Sequence, residues 1–209
     1  MTRIVEVDPL HPDASIIQKA VLLMKKGGVV AFPTETLYGL GVNAYSEKAV
    51  MEVFKIKGRG YEKPIPILID RKEALPELVS QVSETAKYLI EEFWPGGLTI
   101  IFEASPKLTR LLTGNTGKIG IRMSSNAVAH ELVKEMAGPI TATSANISGQ
   151  KACTAAIEVH GTLADGVDLI IDGGKTKGNL GSTIVDVTST PAKIIRKGVV
   201  SLEYLKEYL

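Results

Sequence analysis

Four basic side chains crowd the stretch Phe54 to Pro64, FKIKGRGYEKP, where Lys55, Lys57, Arg59 and Lys63 stand among Gly58, Gly60 and Pro64. The chain as a whole is nearly balanced, with 24 basic and 23 acidic residues in 209, so this local excess of cations is a placed feature. Guanidinium and ammonium groups donate to phosphate oxygens, and a residue without Cβ lets a phosphate approach the main chain, so the pattern suits a polyphosphate. It also fits a plainer arrangement. Lys55 and Arg59, one helical turn apart, would complement the negative end of a helix while Lys57 points elsewhere.

Three further constellations offer polar groups at strand ends. Pro33-Thr34-Glu35-Thr36-Leu37-Tyr38-Gly39 presents two hydroxyls, a carboxylate and a phenol directly after an apolar run, and such loops are where α/β proteins place ligands. Thr141 to Gly149, TATSANISG, supplies four hydroxyls and the Asn146 amide. These short neutral donors and acceptors fit a phosphate edge, a ribose or an amino acid. In both loops the hydroxyls could instead satisfy local main chain. Finally, Arg122 ends KIGIR and Arg196 ends KIIR, while Gly181-Ser182-Thr183 opens a strand. An arginine in a sheet is commonly paired or edge-facing. Taken together, several cations and many hydroxyls without a metal cage describe a nucleotide beside a small polar substrate.

Other motifs fail on spacing. Gly173-Gly174-Lys175-Thr176 ends like a phosphate-binding P-loop, but the first glycine of that motif would fall at Leu169. Gly39 to Ala44 imitates a dinucleotide fingerprint without following a clean strand or opening a helix. His11, His130, His160 and Cys153 show no metal-ligand spacing, so no metal site is expected, and His130 and His160 are expected on helix surfaces. A net charge of +1 gives no field for holding nucleic acid non-specifically. A lone cysteine cannot form an internal disulfide, which fits a reducing compartment. No apolar run has the length of a signal peptide or a membrane span. The expected setting is the cytoplasm, with no membrane contact.

The elements that must position these groups follow from periodicity. Strands are expected at Arg3 to Val7, Val29 to Phe32, Ile65 to Ile69, Leu98 to Phe102, Lys118 to Arg122, Ile140 to Thr143 and Val167 to Ile171, with a final hairpin of Thr183 to Val187 and Ala192 to Arg196. Helices are expected at Ala14 to Lys26 (capped by Asp13), after Ser46, near 72–80, 84–93, Asn126 to Met136 and 154–163, and after Ser201. PTETLYGLG reads as a loop. With 209 residues and strands mixed with helices throughout, the expectation is one α/β domain spanning 1–209 around a mixed sheet.

The strings PTETLYGLG, KIKGR with a following KP, FWPGGLTII, KIGIR, TSANISG, GSTIVD and IIRKG, in this order, resemble the YrdC-type threonylcarbamoyl-AMP synthase family over nearly the whole chain. That resemblance implies a twisted mixed β-sheet with flanking helices and a deep concave site. It implies nucleotidyl transfer: ATP, L-threonine and bicarbonate or carbon dioxide condense to threonylcarbamoyl-AMP and pyrophosphate, with Mg²⁺ on the phosphates. A downstream threonylcarbamoyl transferase would use the product to modify tRNA, and a weak tRNA contact stands among the implied partners. Carried over by motif, Lys57 and Arg59 are the catalytic, triphosphate-binding pair. Ser144, Asn146 and Arg196 complete the ATP contacts, and Thr34, Tyr38, Arg122 and Ser182 hold threonine. The chain departs from the family pattern at Gly60 and Ser124, where proline is common. It also ends too early for the second domain of longer members. Two other readings stand beside this one: an RNA-binding module for tRNA or double-stranded RNA, and a paralogous carbamoyl-handling enzyme on the same fold.

On the synthase reading, replacing Lys57 or Arg59 by alanine is expected to cut adenylate formation about ten- to a hundred-fold with the fold intact. Wild-type pyrophosphate release from both variants would reject the assignment.

Overall fold

Two mixed β-sheets, where one was expected, organise the chain in a computed structural model that describes residues 2–178 and 180–209. The first runs β1 (Arg3–Glu6), β9 (Leu169–Asp172), β2 (Val30–Pro33), β3 (Tyr38–Gly41), β8 (Thr143–Ser144). The second runs β11 (Lys193–Arg196), β10 (Thr183–Asp186), β5 (Leu98–Glu103), β6 (Lys118–Arg122), β4 (Ile67–Leu68), β7 (Ile140–Thr141). The helices are α1 (Ala14–Lys25), α2 (Glu47–Lys57), α3 (Leu75–Leu78), α4 (Glu84–Phe93), α5 (Arg110–Thr113), α6 (Ala127–Met136), α7 (Ala156–Leu163) and α8 (Leu202–Leu205).

The first sheet is covered on both faces, which explains its short continuous apolar runs. Side chains alternate across a strand. In β2, Val30 and Phe32 join a cluster with α1 and α6 (Ile17, Met24, Leu132), while Ala31 between them joins the larger core that includes α2 and the second sheet. Ile170 of β9 divides from Leu169 and Ile171 in the same way. Helix starts follow side-chain caps. Asp13 accepts from the Ser15 N–H and Ser46 from that of Ala49, as the sequence implies. Ser201 precedes α8 but makes no side-chain capping bond.

Two differences from the sequence reading shape the site. Much of PTETLYGLG is strand: Tyr38–Gly41 pairs antiparallel with β2, Phe32 opposite Gly39 and Val30 opposite Gly41. Glycine weakens a strand pattern, yet the Phe32 ring needs the space, since a Cβ on Gly41 would lie 2.5 Å from its Cε1. In addition, the expected strand Ile140 to Thr143 is split. Ile140 and Thr141 pair with β4 in the second sheet, and Thr143 and Ser144 pair with β3 in the first. The chain therefore crosses between sheets at Ala142, which delivers Ser144 and Asn146 to their junction. Between β5 and β6, α5 is a one-turn helix absent from the sequence reading. Four residues are too few to print a periodicity.

At the same junction, Gly198 packs on the strand opening that carries Ser182. A Cβ there would lie 2.4 Å from Gly181 O, Ser182 C and Thr183 N, all main-chain atoms that cannot rotate away. Gly198→Ala is expected to lower stability by about 1–3 kcal/mol, or several degrees in Tm. An unchanged melting temperature would show that the close approach is not tight.

Candidate active site

A cavity of about 450 Å³ lies where the two sheets meet. Its lining includes Thr34, Tyr38, Arg59, Arg122, Ser144, Asn146, Ser182 and Arg196, eight of the nine residues singled out in the sequence. A larger depression of about 650 Å³ between α2 and α7 contains none of them. It gathers no comparable set of cations and hydroxyls, so the chemistry belongs to the smaller space.

The ninth residue, Lys57, does not line the cavity. It is 1% exposed at the end of α2, and its Nζ donates to Ser144 O at 2.5 Å, Asn146 O at 2.7 Å and Asn146 Oδ1 at 3.3 Å. Three oxygens around one ammonium satisfy its donors without a carboxylate. Burial, and after it the nearby Arg59, push its pKa down to about 8, so it still carries its proton at neutral pH. The Asn146 side chain is likewise engaged by the protein. Its Nδ2 donates to Ile147 O and Gln150 O, and its Oδ1 accepts from Ser144 Oγ as well as from Lys57. Lys57 and Asn146 thus knot the crossing segment into shape. Lys57→Ala would leave the Asn146 carbonyl without its donor and Ser144 O with only the Asn146 N–H, so the crossing segment is not expected to stay intact when that residue is removed.

Arg59 and Arg196 are held by main-chain oxygens and Arg122 by side chains, and each keeps free donors. Gly58 ends α2 in the left-handed region, φ 55°, and turns the chain so that Arg59 donates to Lys63 O and Pro64 O at 3.2 and 2.8 Å. Arg196 donates through Nε and Nη2 to Ser182 O at 3.1 and 2.8 Å, and Nη2 also reaches Ser182 Oγ at 3.1 Å. Arg122, 6% exposed, donates to Thr36 Oγ1 at 3.2 Å and stands 3.2 Å from Glu35 Oε1. Burial lowers the pKa of all three, and Arg122 adds to that effect at Arg196. A guanidinium nevertheless keeps its charge. With Lys197, the lining holds four cations and no carboxylate, so the cavity favours anions.

The hydroxyls are arranged in short relays. Thr34 Oγ1 lies 2.9 Å from Thr36 Oγ1, and Ser182 Oγ lies 2.7 Å from Thr99 Oγ1. The Tyr38 phenol donates to Gly174 O at 2.8 Å and Asp172 Oδ1 at 3.2 Å. Burial, then Asp172, pushes its pKa up, so it stays a neutral wall. Thr36, one of the two hydroxyls of its loop, also lines the cavity, and Thr99 and Lys197 do so without having been singled out. The clues were a polar residue within the apolar run Leu98–Phe102 and a lysine directly after Arg196. Among the described residues no three or more His, Cys, Asp or Glu side chains gather as a metal-binding group, and no helix is long and apolar enough to cross a membrane.

The fold and this cavity define a known class. The model of the Sua5/YciO/YrdC family, described as "Telomere recombination", matches residues 22–198, and the chain belongs to that family. It is 38% identical to a threonylcarbamoyl-AMP synthase of Pyrococcus abyssi over 92% of its own length and 57% of that protein's. It is 36% identical to a putative threonylcarbamoyl-AMP synthase of Mycobacterium tuberculosis, over 97% of this chain and 92% of the relative. The structure of P. abyssi Sua5 complexed with L-threonine superposes with a TM-score of 0.96 at 36% identity, covering 99% of this chain and 61% of that one.

The charge on Lys57 gives a testable pH dependence. Its pKa of about 8 in the folded chain lies below its ordinary 10.5, so the unfolded chain binds more protons between those values and stability rises with pH across that window. In urea melts, wild type is expected to gain stability relative to Lys57→Met from about pH 8 to about pH 10. A difference that stays level would mean the ammonium is not depressed by its burial.

Proposed function

We propose that this chain is a threonylcarbamoyl-AMP synthase, a nucleotidyltransferase that condenses ATP, L-threonine and bicarbonate or carbon dioxide. The observation that carries the reading is the single cavity in which Arg59, Arg122 and Arg196 face one another among the hydroxyls of Thr34, Ser144 and Ser182. It suits a triphosphate beside a small zwitterion, and the family relation supplies the reaction class.

The division of labour follows from what each side chain already holds. Arg59 and Arg196, anchored on main-chain carbonyls, keep donors for phosphate oxygens. Arg122 offers its fork to the carboxylate of threonine. Ser144, fixed by Asn146 and in turn by Lys57, orients the nucleotide. Threonine's amine loses a proton and adds carbon dioxide to form a carbamate. A carbamate oxygen then attacks the α-phosphorus, the bond to the bridging oxygen breaks, and pyrophosphate leaves. The barrier is mainly positioning and charge repulsion, which fixed guanidiniums lower without any side-chain nucleophile. With no lining carboxylate to ligate it, Mg²⁺ belongs to the substrate as the ATP complex, keeping its waters, and no protein-held metal takes a step. The product is a reactive mixed anhydride, so a partner transferase must consume it, passing the threonylcarbamoyl group to the adenosine beside a tRNA anticodon.

The test is pyrophosphate release with ATP, threonine and bicarbonate omitted in turn. Dependence on all three is expected, and release without threonine would defeat the reading. An RNA shift without ATP turnover would favour a binding module instead. Arg122→Lys, which keeps the charge but loses the fork, is expected to raise the KM for threonine about tenfold or more. The KM for ATP should stay near wild type, and a matched rise in both would remove Arg122 from the amino-acid end.

A further inference from the structure

Among the described residues Glu35 is the one acid in an ion pair with a cavity arginine (Glu62 acts on Arg59 only at longer range), and it stands behind the lining. Its Oε2 accepts a hydrogen bond from Ser124 Oγ, which also accepts from the Asn126 N–H at 3.2 Å, the cap of α6. Its Oε1 stands 3.2 Å from Arg122 Nη1, off the line needed for a hydrogen bond. That oxygen is buried with no hydrogen-bond partner among the described residues. A buried acceptor left in this way calls for an explanation. Ser124 is itself 3% exposed, and its hydroxyl is committed to the carboxylate and the helix start.

The cavity poses a sorting problem. Three guanidiniums share one space, and ATP and pyrophosphate carry several negative charges each. Left alone, a polyanion would gather all three and occupy the place of the amino acid. A fixed carboxylate beside one guanidinium changes this. Its repulsion scales with the charge of the approaching ligand, so a polyphosphate loses several times more than a carboxylate does. The free donors of the fork still serve a singly charged group. Specificity of this kind comes from a repulsive element placed against the wrong ligand.

Resting on the synthase reading, we propose that Glu35, held by Ser124, is a specificity-determining positioning residue. It reserves Arg122 for the singly charged carboxylate of the amino acid and keeps pyrophosphoryl oxygens off it.

The experiment is calorimetric binding of L-threonine, with and without saturating pyrophosphate, to wild type, Glu35→Gln and Ser124→Ala. In wild type, pyrophosphate is expected to leave threonine affinity essentially unchanged. In Glu35→Gln it is expected to compete, raising the apparent Kd for threonine about tenfold or more. Ser124→Ala keeps the charge but frees the carboxylate, so threonine should bind several-fold more weakly without gaining competition. This variant carries the test if Glu35→Gln does not fold, and wild-type threonine affinity in it would then overturn the inference. Competition already present in wild type, or absent from a folded Glu35→Gln, would also overturn it while leaving the function standing. A wild type that binds no threonine would defeat the proposed function, and this inference with it.

Discussion

The buried ammonium of Lys57 is the tie on which the site depends. It joins the end of α2 to the segment that crosses from one sheet to the other, through carbonyls of Ser144 and Asn146. Without it, Asn146 O would lose the donor that holds it, at a cost of about 1–3 kcal/mol, and Ser144 O would keep only the Asn146 N–H at 3.0 Å. An ammonium suits this task because its three donors diverge, as the three oxygens around it do. The Asn146 amide completes the knot, with donors and acceptor all used inside the loop. What remains exposed to a ligand is the geometry that this knot fixes.

Around that junction the charges are unequally shared. Arg59 and Arg196 lean on main-chain oxygens, which hold a guanidinium in place without cancelling its charge. Arg122 leans on a carboxylate, which does cancel charge. The cavity is thus graded in electrostatic character, although its cations are chemically alike. Such a gradient orders two anionic substrates more firmly than a uniform positive field could, because it makes one orientation cheaper than its reverse.

Much of this was legible in the sequence, and the failures have physical causes. Apolar runs bounded by glycine and proline located the buried strands, and Asp13 and Ser46 marked helix starts. Clusters of hydroxyls and cations marked the segments, because those side-chain types have few uses in an interior, and the family resemblance picked from them the eight residues that line the cavity. The β3 strand was hidden by Gly39 and Gly41, residues required by the Phe32 ring and read as loop when that ring is out of view. The division into two sheets was hidden because Ile140 to Ser144 is a single extended run, and the change of partner at Ala142 is tertiary. The direction of Lys57 was partly visible: spacing set it apart from Lys55 and Arg59. That its new surroundings would be carbonyl oxygens depended on a segment almost ninety residues away.

The contrast between lysine and arginine here is chemical and not interchangeable. An arginine at 57 would present a planar fork to three diverging oxygens and could satisfy them only by moving the crossing segment. Lysines at 59, 122 or 196 would fail in the opposite way. Each arginine spends some of its five N–H donors on the protein and keeps others for a ligand, a division that a compact ammonium cannot make with the same rigidity. Arg196 shows this directly: Nε and Nη2 hold Ser182, while Nη1 has no protein acceptor among the described residues. Lys57 closes a loop while the three arginines share a cavity with Lys197, so the choice of lysine at 57 and of arginine at 59, 122 and 196 follows from whether the partners belong to the protein alone or also to what the protein binds.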